Sequence, residues 1–244
     1  MALRLWQYLA NASLWIDEIA LAENVLNRPL GELVGQPLYL DQVAAPGFLA
    51  LAKGATAAFG SSEYALRLVP LLSGLLALLL FRALARRFQP VWVAALSVAI
   101  LALAPTLIAH GAEFKPYSMD ILASVWLTMA AFAVTDRGAA WPAWLGAIVL
   151  GTTFVWFSQG AIFVVAGLGA ALVLLARRER RFGAWLGVTL GLWAASAGAA
   201  ALAAMRRVPT EMRDYLDRFW QPSLPRWPLL LFIAVAAGLL WLRD

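Results

Sequence analysis

Long apolar stretches separated by short polar segments dominate the pattern of this chain. A membrane-spanning helix needs about 20 mostly apolar residues. Four stretches meet this length: 68–85, 91–109, 117–135 and 183–205. Strand-like alternation, heptads and internal repeats are missing from the sequence. The pattern predicts an all-α protein that crosses a bilayer several times.

A fifth apolar stretch, residues 141–176, would be roughly 54 Å long as one helix. A hydrocarbon core is only about 30 Å thick. The polar break at Ser158, Gln159 and Gly160 therefore predicts two crossings joined by a turn. Residues 5–16 suit a short first helix, and 227–242 is a marginal span. We expect a polytopic transmembrane helical bundle with about seven or eight spans.

Arginines cluster at one end of the predicted spans, and arginines in short loops are retained in the cytoplasm. This set is Arg4, Arg82, Arg86, Arg87, Arg137, Arg177, Arg178, Arg180, Arg181 and Arg243. The opposite, outer face then holds the first loop (17–67), the turn at Ser158 and a later loop (206–226). Amphipathic stretches in 17–67 predict helices that lie in the interface plane. We expect one domain over 1–244 in a plasma (inner) membrane.

The composition agrees with a membrane class. The chain is 63% hydrophobic and 14% charged, against about 45–50% and 25% in soluble domains. Its net charge of +5 comes from arginines that punctuate apolar runs, which argues against nucleic-acid binding. With no cysteine and one histidine, thiolate and histidine-based zinc sites are excluded. We expect no metal cofactor, although the outer carboxylates leave a divalent cation open.

Asp17 and Glu18 follow the first apolar segment at the outer face. Neighbours on a helix point about 100° apart, so we expect only one of them to face a shared site. One interpretation is a carboxylate base at the membrane surface. The other is that acids at a helix start complement the helix dipole.

A second polar cluster lies in the turn that contains His110, Glu113, Lys115, Tyr117 and Asp120. One interpretation is an interfacial cluster whose long side chains extend to the membrane surface. The other is that Lys115 contacts a phosphate while Glu113 beside it accepts hydrogen bonds. We interpret His110 as a residue of the turn, with a catalytic role as the alternative. Asp120, one turn into a predicted span, is costly there and so a candidate functional group.

Arg67 begins a span on the same face. Glu63, four residues earlier, predicts a helical ion pair with it, whereas a guanidinium also suits a lipid phosphate. The loop 206–226 mixes both charges and predicts a solvated interfacial helix.

Several of these motifs occur in an order that resembles the multi-spanning GT-C glycosyltransferases. More narrowly, they resemble the bacterial glycosyltransferase family 39 and aminoarabinose-transferase-like group, relatives of the protein O-mannosyltransferases. The motifs are Trp15-Ile-Asp17-Glu18, Ala45-Pro46, Phe59-Gly-Ser-Ser-Glu63-Tyr-Ala-Leu-Arg67, Ala104-Pro105 and Glu113-Phe-Lys115-Pro116-Tyr117-Ser118.

The resemblance implies transfer of a sugar from a polyprenyl-phosphate donor to an unidentified acceptor at the outer face. It maps the base to Asp17, with Glu18 beside it. It maps the contacts to the lipid phosphate to Arg67 and Lys115, supported by Glu113 and Tyr117. A carboxylate that takes the acceptor's proton and cations that stabilise the leaving phosphate form a coherent mechanism.

Two departures from the family leave other functions open. The first helix is shorter, and the chain ends where family members continue through further helices. We therefore also consider a truncated product, a compact member that needs a partner subunit, and a non-catalytic membrane subunit. A transporter is a further alternative, although mid-membrane charges and internal repeats are not evident.

Overall fold

The computed structural model describes residues 1–137, 141–179, 182–208 and 214, without the side chains of 136, 137 and 179. These residues form helices connected by short turns, and no strand occurs among them. The helices are α1 Ala2–Leu9, α2 Ile16–Asn27, α3 Leu30–Gly35, α4 Pro46–Phe59, α5 Glu63–Phe88, α6 Val91–Leu103, α7 Pro105–His110, α8 Tyr117–Arg137, α9 Trp141–Phe157, α10 Ala161–Glu179 and α11 Gly183–Arg206.

Four helices are long and apolar enough to cross a membrane: α5, α8, α10 and α11. Helices α6 and α9 are apolar but shorter. The prediction of a helical membrane bundle is confirmed. The described residues provide six apolar helices where about seven or eight spans were expected. The predicted span 227–242 lies outside the described residues.

The predicted span 91–109 is divided by a proline. Helix α6 ends at Leu103, and Ala104 adopts an extended conformation (φ −61°, ψ 116°) before Pro105 begins α7. The ring of a proline disfavours helical geometry in the residue before it. The prediction of one uninterrupted span over residues 91–109 was therefore wrong.

The polar break at residues 158–160 forms the predicted turn between α9 and α10. The Ser158 hydroxyl donates a hydrogen bond to the Asp120 carboxylate (2.5 Å), and Ala161 N–H donates to the Ser158 hydroxyl (3.1 Å). Asp120 also accepts from the Gly160 backbone. The turn is thus fixed to the first residues of α8.

The bundle has two chemically different ends. We call the end with the first residues of α5 and α8 the site end. We call the opposite end, where α5 carries Arg86 and Arg87, the arginine end. Helices α5 and α8 run in the same direction, since the rings of Phe88 and Phe132 pack 4.5 Å apart near their carboxyl ends. Helices α9 and α11 start together at that end, where Trp144 contacts Phe182.

The amino-terminal segment differs from its prediction. Residues 5–16 do not form one helix, because α1 ends at Leu9 and α2 begins at Ile16. Arg4 donates a hydrogen bond to the Gly74 carbonyl and packs against Gly111, next to the start of α8. Arg4 therefore lies toward the site end, and its predicted grouping with Arg86 is wrong.

The first predicted outer loop is helical, but its helices are packed into the protein. Leu21 and Val25 of α2, Leu33 of α3, and Phe48 and Leu49 of α4 are fully buried. Helix α4 packs against α5 and α9. Helix α2 in turn packs against α4, so the first loop is part of the bundle.

Candidate functional site

A buried ion pair joins the first loop to the first long helix. The Arg67 Nε and Nη2 groups each donate to a separate Glu18 oxygen at 3.0 Å. The remaining Nη1 donates to the Ala12 carbonyl (2.6 Å). All three guanidinium nitrogens are therefore in use, and Arg67 is only 3% exposed.

These contacts revise two sequence-based assignments. Arg67 pairs with Glu18 and not with Glu63 of its own helix. The buried pair also occupies the groups that the resemblance assigned to base chemistry (Glu18) and to a lipid phosphate (Arg67). In this structure both side chains are buried and bonded to each other; their predicted roles in catalysis stay predictions.

Glu18 makes further contacts that organise the site end. It accepts a hydrogen bond from Phe114 N–H (2.6 Å) and one from Trp15 N–H (3.2 Å). The Trp15 bond satisfies a backbone N–H at the start of α2. The Phe114 bond ties α2 to the loop before α8. Asp17 directly precedes Glu18 in the sequence, and Glu113 directly precedes Phe114.

A polar cluster is assembled at this junction. His110 Nδ1 lies 3.1 Å from Glu113 Oε2, and the His110 ring packs 4.6 Å from the Tyr117 ring. Glu113, Asp17 and Asp120 all interact electrostatically with the Tyr117 hydroxyl. Asp17 and Tyr117 are exposed, while His110 and Glu113 are half-buried. The structure thus brings Asp17 of the first motif toward the second polar cluster.

Lys115 points to the first loop. Its Nζ donates to Gln42 Oε1 at 2.8 Å. The side chain is half-buried, and an ammonium group has three donors. It can therefore hold Gln42 and still contact an anion.

Arg207 is a residue that the sequence did not single out. It follows α11 in the segment predicted to be a solvated helix, yet it is only 9% exposed. Its Nη2 donates to the Ala44 carbonyl (3.2 Å). Arg207, Gln42 and Gln159 line one small cleft at the site end. The sequence pattern around Arg207 gives no sign of its burial, which follows only from where α11 ends in the structure.

The described residues contain no group of three or more histidine or acidic side chains placed to hold a metal ion. The expectation of a site without metal stays a prediction. Of the loop 206–226, only 206–208 and 214 are described, so the predicted interfacial helix is otherwise outside the described residues.

Comparison with known proteins identifies a family. A family model described as dolichyl-phosphate-mannose-protein mannosyltransferase matches residues 43–199, more than half of the chain. No curated protein and no solved structure matches. The matched region includes Arg67 and the turn from His110 to Asp120, and it lacks Asp17, Glu18 and Arg207. The chain belongs to the dolichyl-phosphate-mannose-protein mannosyltransferase family and is a membrane glycosyltransferase of the GT-C type.

Proposed function

We propose that this protein transfers a sugar from a polyprenyl-phosphate donor to an acceptor at the extracytoplasmic face of the membrane. The hydrogen bond from Phe114 N–H to Glu18 (2.6 Å) is the observation that carries this proposal. It connects the helix that presents Asp17 to the loop that presents Glu113 and Lys115. A base and a cation are therefore held at one end of the bundle.

Asp17 is the proposed general base. It is exposed, whereas the neighbouring Glu18 is buried and committed to Arg67. The Asp17 carboxylate takes the proton of an acceptor hydroxyl as the acceptor oxygen bonds to the anomeric carbon. The bond from that carbon to the phosphate oxygen breaks, and the phosphate leaves with the electron pair.

Lys115 is the proposed cation for the leaving phosphate. Charge develops on the phosphate as the glycosidic bond breaks, and a fixed ammonium group stabilises it. The bond to Gln42 restricts where Lys115 Nζ lies. His110, Glu113 and Tyr117 contact one another in the same turn and offer hydrogen-bonding groups suited to sugar hydroxyls.

The membrane orientation rests on charge. The described arginines at the ends of α5 and α10 lie opposite the site end, and positive charge in short loops favours the cytoplasm. A site at the membrane surface also suits a donor whose lipid stays in the bilayer.

The transfer reaction can be tested directly with purified protein. Radiolabelled polyprenyl-phosphate mannose is the first donor, with glucose and aminoarabinose donors in parallel and membrane extract as the acceptor source. Loss of a general base costs about 100-fold or more in rate. We expect that loss for Asp17→Asn and little change for Glu23→Gln, which removes an exposed carboxylate from the same helix. Equal transfer by wild type and Asp17→Asn would overturn the base assignment.

The orientation has an independent test, because the chain has no native cysteine. Single cysteines at Asp41 and Arg178, both exposed and at opposite ends, are treated with a membrane-impermeant maleimide on intact cells. We expect labelling at position 41 only. Labelling at position 178 only would place the site end in the cytoplasm.

A further inference from the structure

The outward face of α5 changes from apolar to basic along its length. Leu72 and Leu79 are 55% and 50% exposed. Arg82 and Arg86, further along the helix, are exposed as well. The spacing of these four residues places them on one face of a helix. We call them the α5 stripe, a row of leucines that ends in two arginines.

The α5 stripe extends from the hydrocarbon core toward the headgroup layer. Helix α5 is long and apolar enough to span a membrane, so its exposed leucines face acyl chains. Phe88 ends α5 and Trp92 lies in the first turn of α6, and these rings are 54% and 72% exposed. Exposed aromatic side chains at the end of a span are typical of the membrane–water interface. Arg82 and Arg86, just before this aromatic pair, can therefore extend to the lipid phosphates.

The helices α5 and α6 provide no carboxylate that could neutralise this end of the stripe. Between Glu63 and Glu113 the sequence contains no aspartate or glutamate. Glu63 is the first residue of α5, at the opposite end from Arg86. The α5 stripe therefore ends in positive charge that its own helix pair does not balance, and an anionic headgroup would balance it.

The two arginines have the spacing and chemistry to hold one phosphate group. They are four residues apart, so they follow each other on the helix face at a distance of about 6 Å along the axis. A guanidinium group binds phosphate oxygens through two parallel hydrogen bonds, which an ammonium group cannot do. Every basic residue between Glu63 and Glu113, apart from His110, is an arginine.

We propose that the α5 stripe binds an anionic phospholipid in the membrane leaflet at the arginine end. The phosphate lies between Arg82 and Arg86, and one acyl chain follows Leu79 and Leu72. This lipid is neither the sugar donor nor the acceptor of the proposed reaction, because the stripe ends at the opposite end of the bundle from Asp17. Phosphatidylglycerol should be preferred to phosphatidylethanolamine, whose ammonium group cancels the charge of its phosphate.

The site is tested by lipid binding, without sugar transfer as a readout. Native mass spectrometry of the purified full chain measures the occupancy of phosphatidylglycerol and of phosphatidylethanolamine. We expect the double variant Arg82→Gln/Arg86→Gln to weaken phosphatidylglycerol binding about tenfold, because two cations that face the lipid are lost. Binding of phosphatidylethanolamine should change much less.

The matched control removes two arginines from another helix of the same end. Arg177 and Arg178 of α10 are exposed, but adjacent residues of a helix point about 100° apart and do not share one headgroup. Arg177→Gln/Arg178→Gln should therefore leave phosphatidylglycerol binding nearly unchanged. Equal losses in the two double variants would show a diffuse attraction to the basic end and would overturn the site on α5.

Two measurements on the wild-type chain decide the proposal even if the α5 variant does not fold. Equal occupancy by phosphatidylglycerol and phosphatidylethanolamine would contradict an anion-selective site. Inorganic phosphate is then added as a competitor, with chloride at the same ionic strength as its control. Phosphate should displace the lipid no better than chloride does, because the acyl chain contributes to binding. Specific displacement by phosphate would show a site for a free anion and overturn the lipid assignment.

Discussion

Arg67 and Glu18 are 49 residues apart in the sequence and form a buried, two-point ion pair with both N–O distances at 3.0 Å. The same carboxylate accepts the Phe114 N–H. One acidic side chain thus joins α2, α5 and the loop before α8. Asp17 is positioned by this junction, so a residue without direct contact to substrate still determines where the proposed base lies.

Glu18→Gln should destabilise the protein strongly. Removing one partner of a buried pair leaves the other charge uncompensated, at a cost of about 3 to 5 kcal/mol. Glu63→Gln is the control, since Glu63 is the partner that helical spacing alone predicts for Arg67. In detergent, the unfolding temperature should decrease strongly for Glu18→Gln and only slightly for Glu63→Gln. The reverse order would show that the pair seen here does not stabilise the fold.

Lys115→Gln should raise the KM for the polyprenyl-phosphate donor about tenfold, because a charged phosphate contact is lost. Lys53→Gln removes a positive charge from the first loop, but Lys53 Nζ donates to the Val25 and Leu26 carbonyls at the end of α2. We expect that variant to lose stability and keep its KM. Steady-state kinetics and thermal unfolding of both variants separate the two roles. Equal KM values for Lys115→Gln and wild type would contradict the phosphate assignment.

Gly151→Ala should weaken the packing of α9 on α11. A Cβ at this position would lie 2.0 Å from Trp193 Nε1, which donates to the Ala147 carbonyl at 3.0 Å. The indole has to move, at a cost of about 1 to 3 kcal/mol. Gly146→Ala on the same helix meets nothing within 4 Å. The free energy of unfolding of Gly146→Ala should equal that of the wild type or exceed it slightly, because alanine has a higher helix propensity than glycine.

The contact of α1 with α5 should weaken at alkaline pH. Tyr8 donates to the Tyr64 carbonyl (2.9 Å), and burial, then the nearby Tyr64, raises the pKa of Tyr8 in the folded state. A raised pKa in the folded state gives stability that is fully present below the ordinary tyrosine value of about 10. That stability is lost as the pH rises through the folded-state pKa. The difference in unfolding temperature between wild type and Tyr8→Phe should therefore shrink above about pH 10, and a constant difference would contradict this linkage.

Local patterns in the sequence determined the class of the protein and most of its helices. Apolar length predicted the helices that begin at Tyr117 and Gly183, because a span is specified by consecutive residues. The polar break at Ser158 predicted the hairpin for the same reason. Pro105 was visible in the sequence, but its effect on the predicted span became clear only from the backbone.

Pairing between distant residues was decided by the tertiary structure. Helical spacing assigned Glu63 to Arg67, whereas packing of α2 on the site end supplied Glu18. Arg4 and Arg207 are arginines at the ends of apolar segments, and charge counting treats both as solvated. Their burial depends on which helices meet there.

The sequence by itself therefore determined that this is a helical membrane protein with a GT-C resemblance, and it named Asp17 and Lys115. Only the tertiary structure decided that Glu18 and Arg67 bind each other and that Arg207 faces the cleft beside Gln42. The physical reason is that hydrophobic length and helix spacing act over a few neighbouring residues. Burial and ion pairing depend on helices brought together from separate parts of the chain.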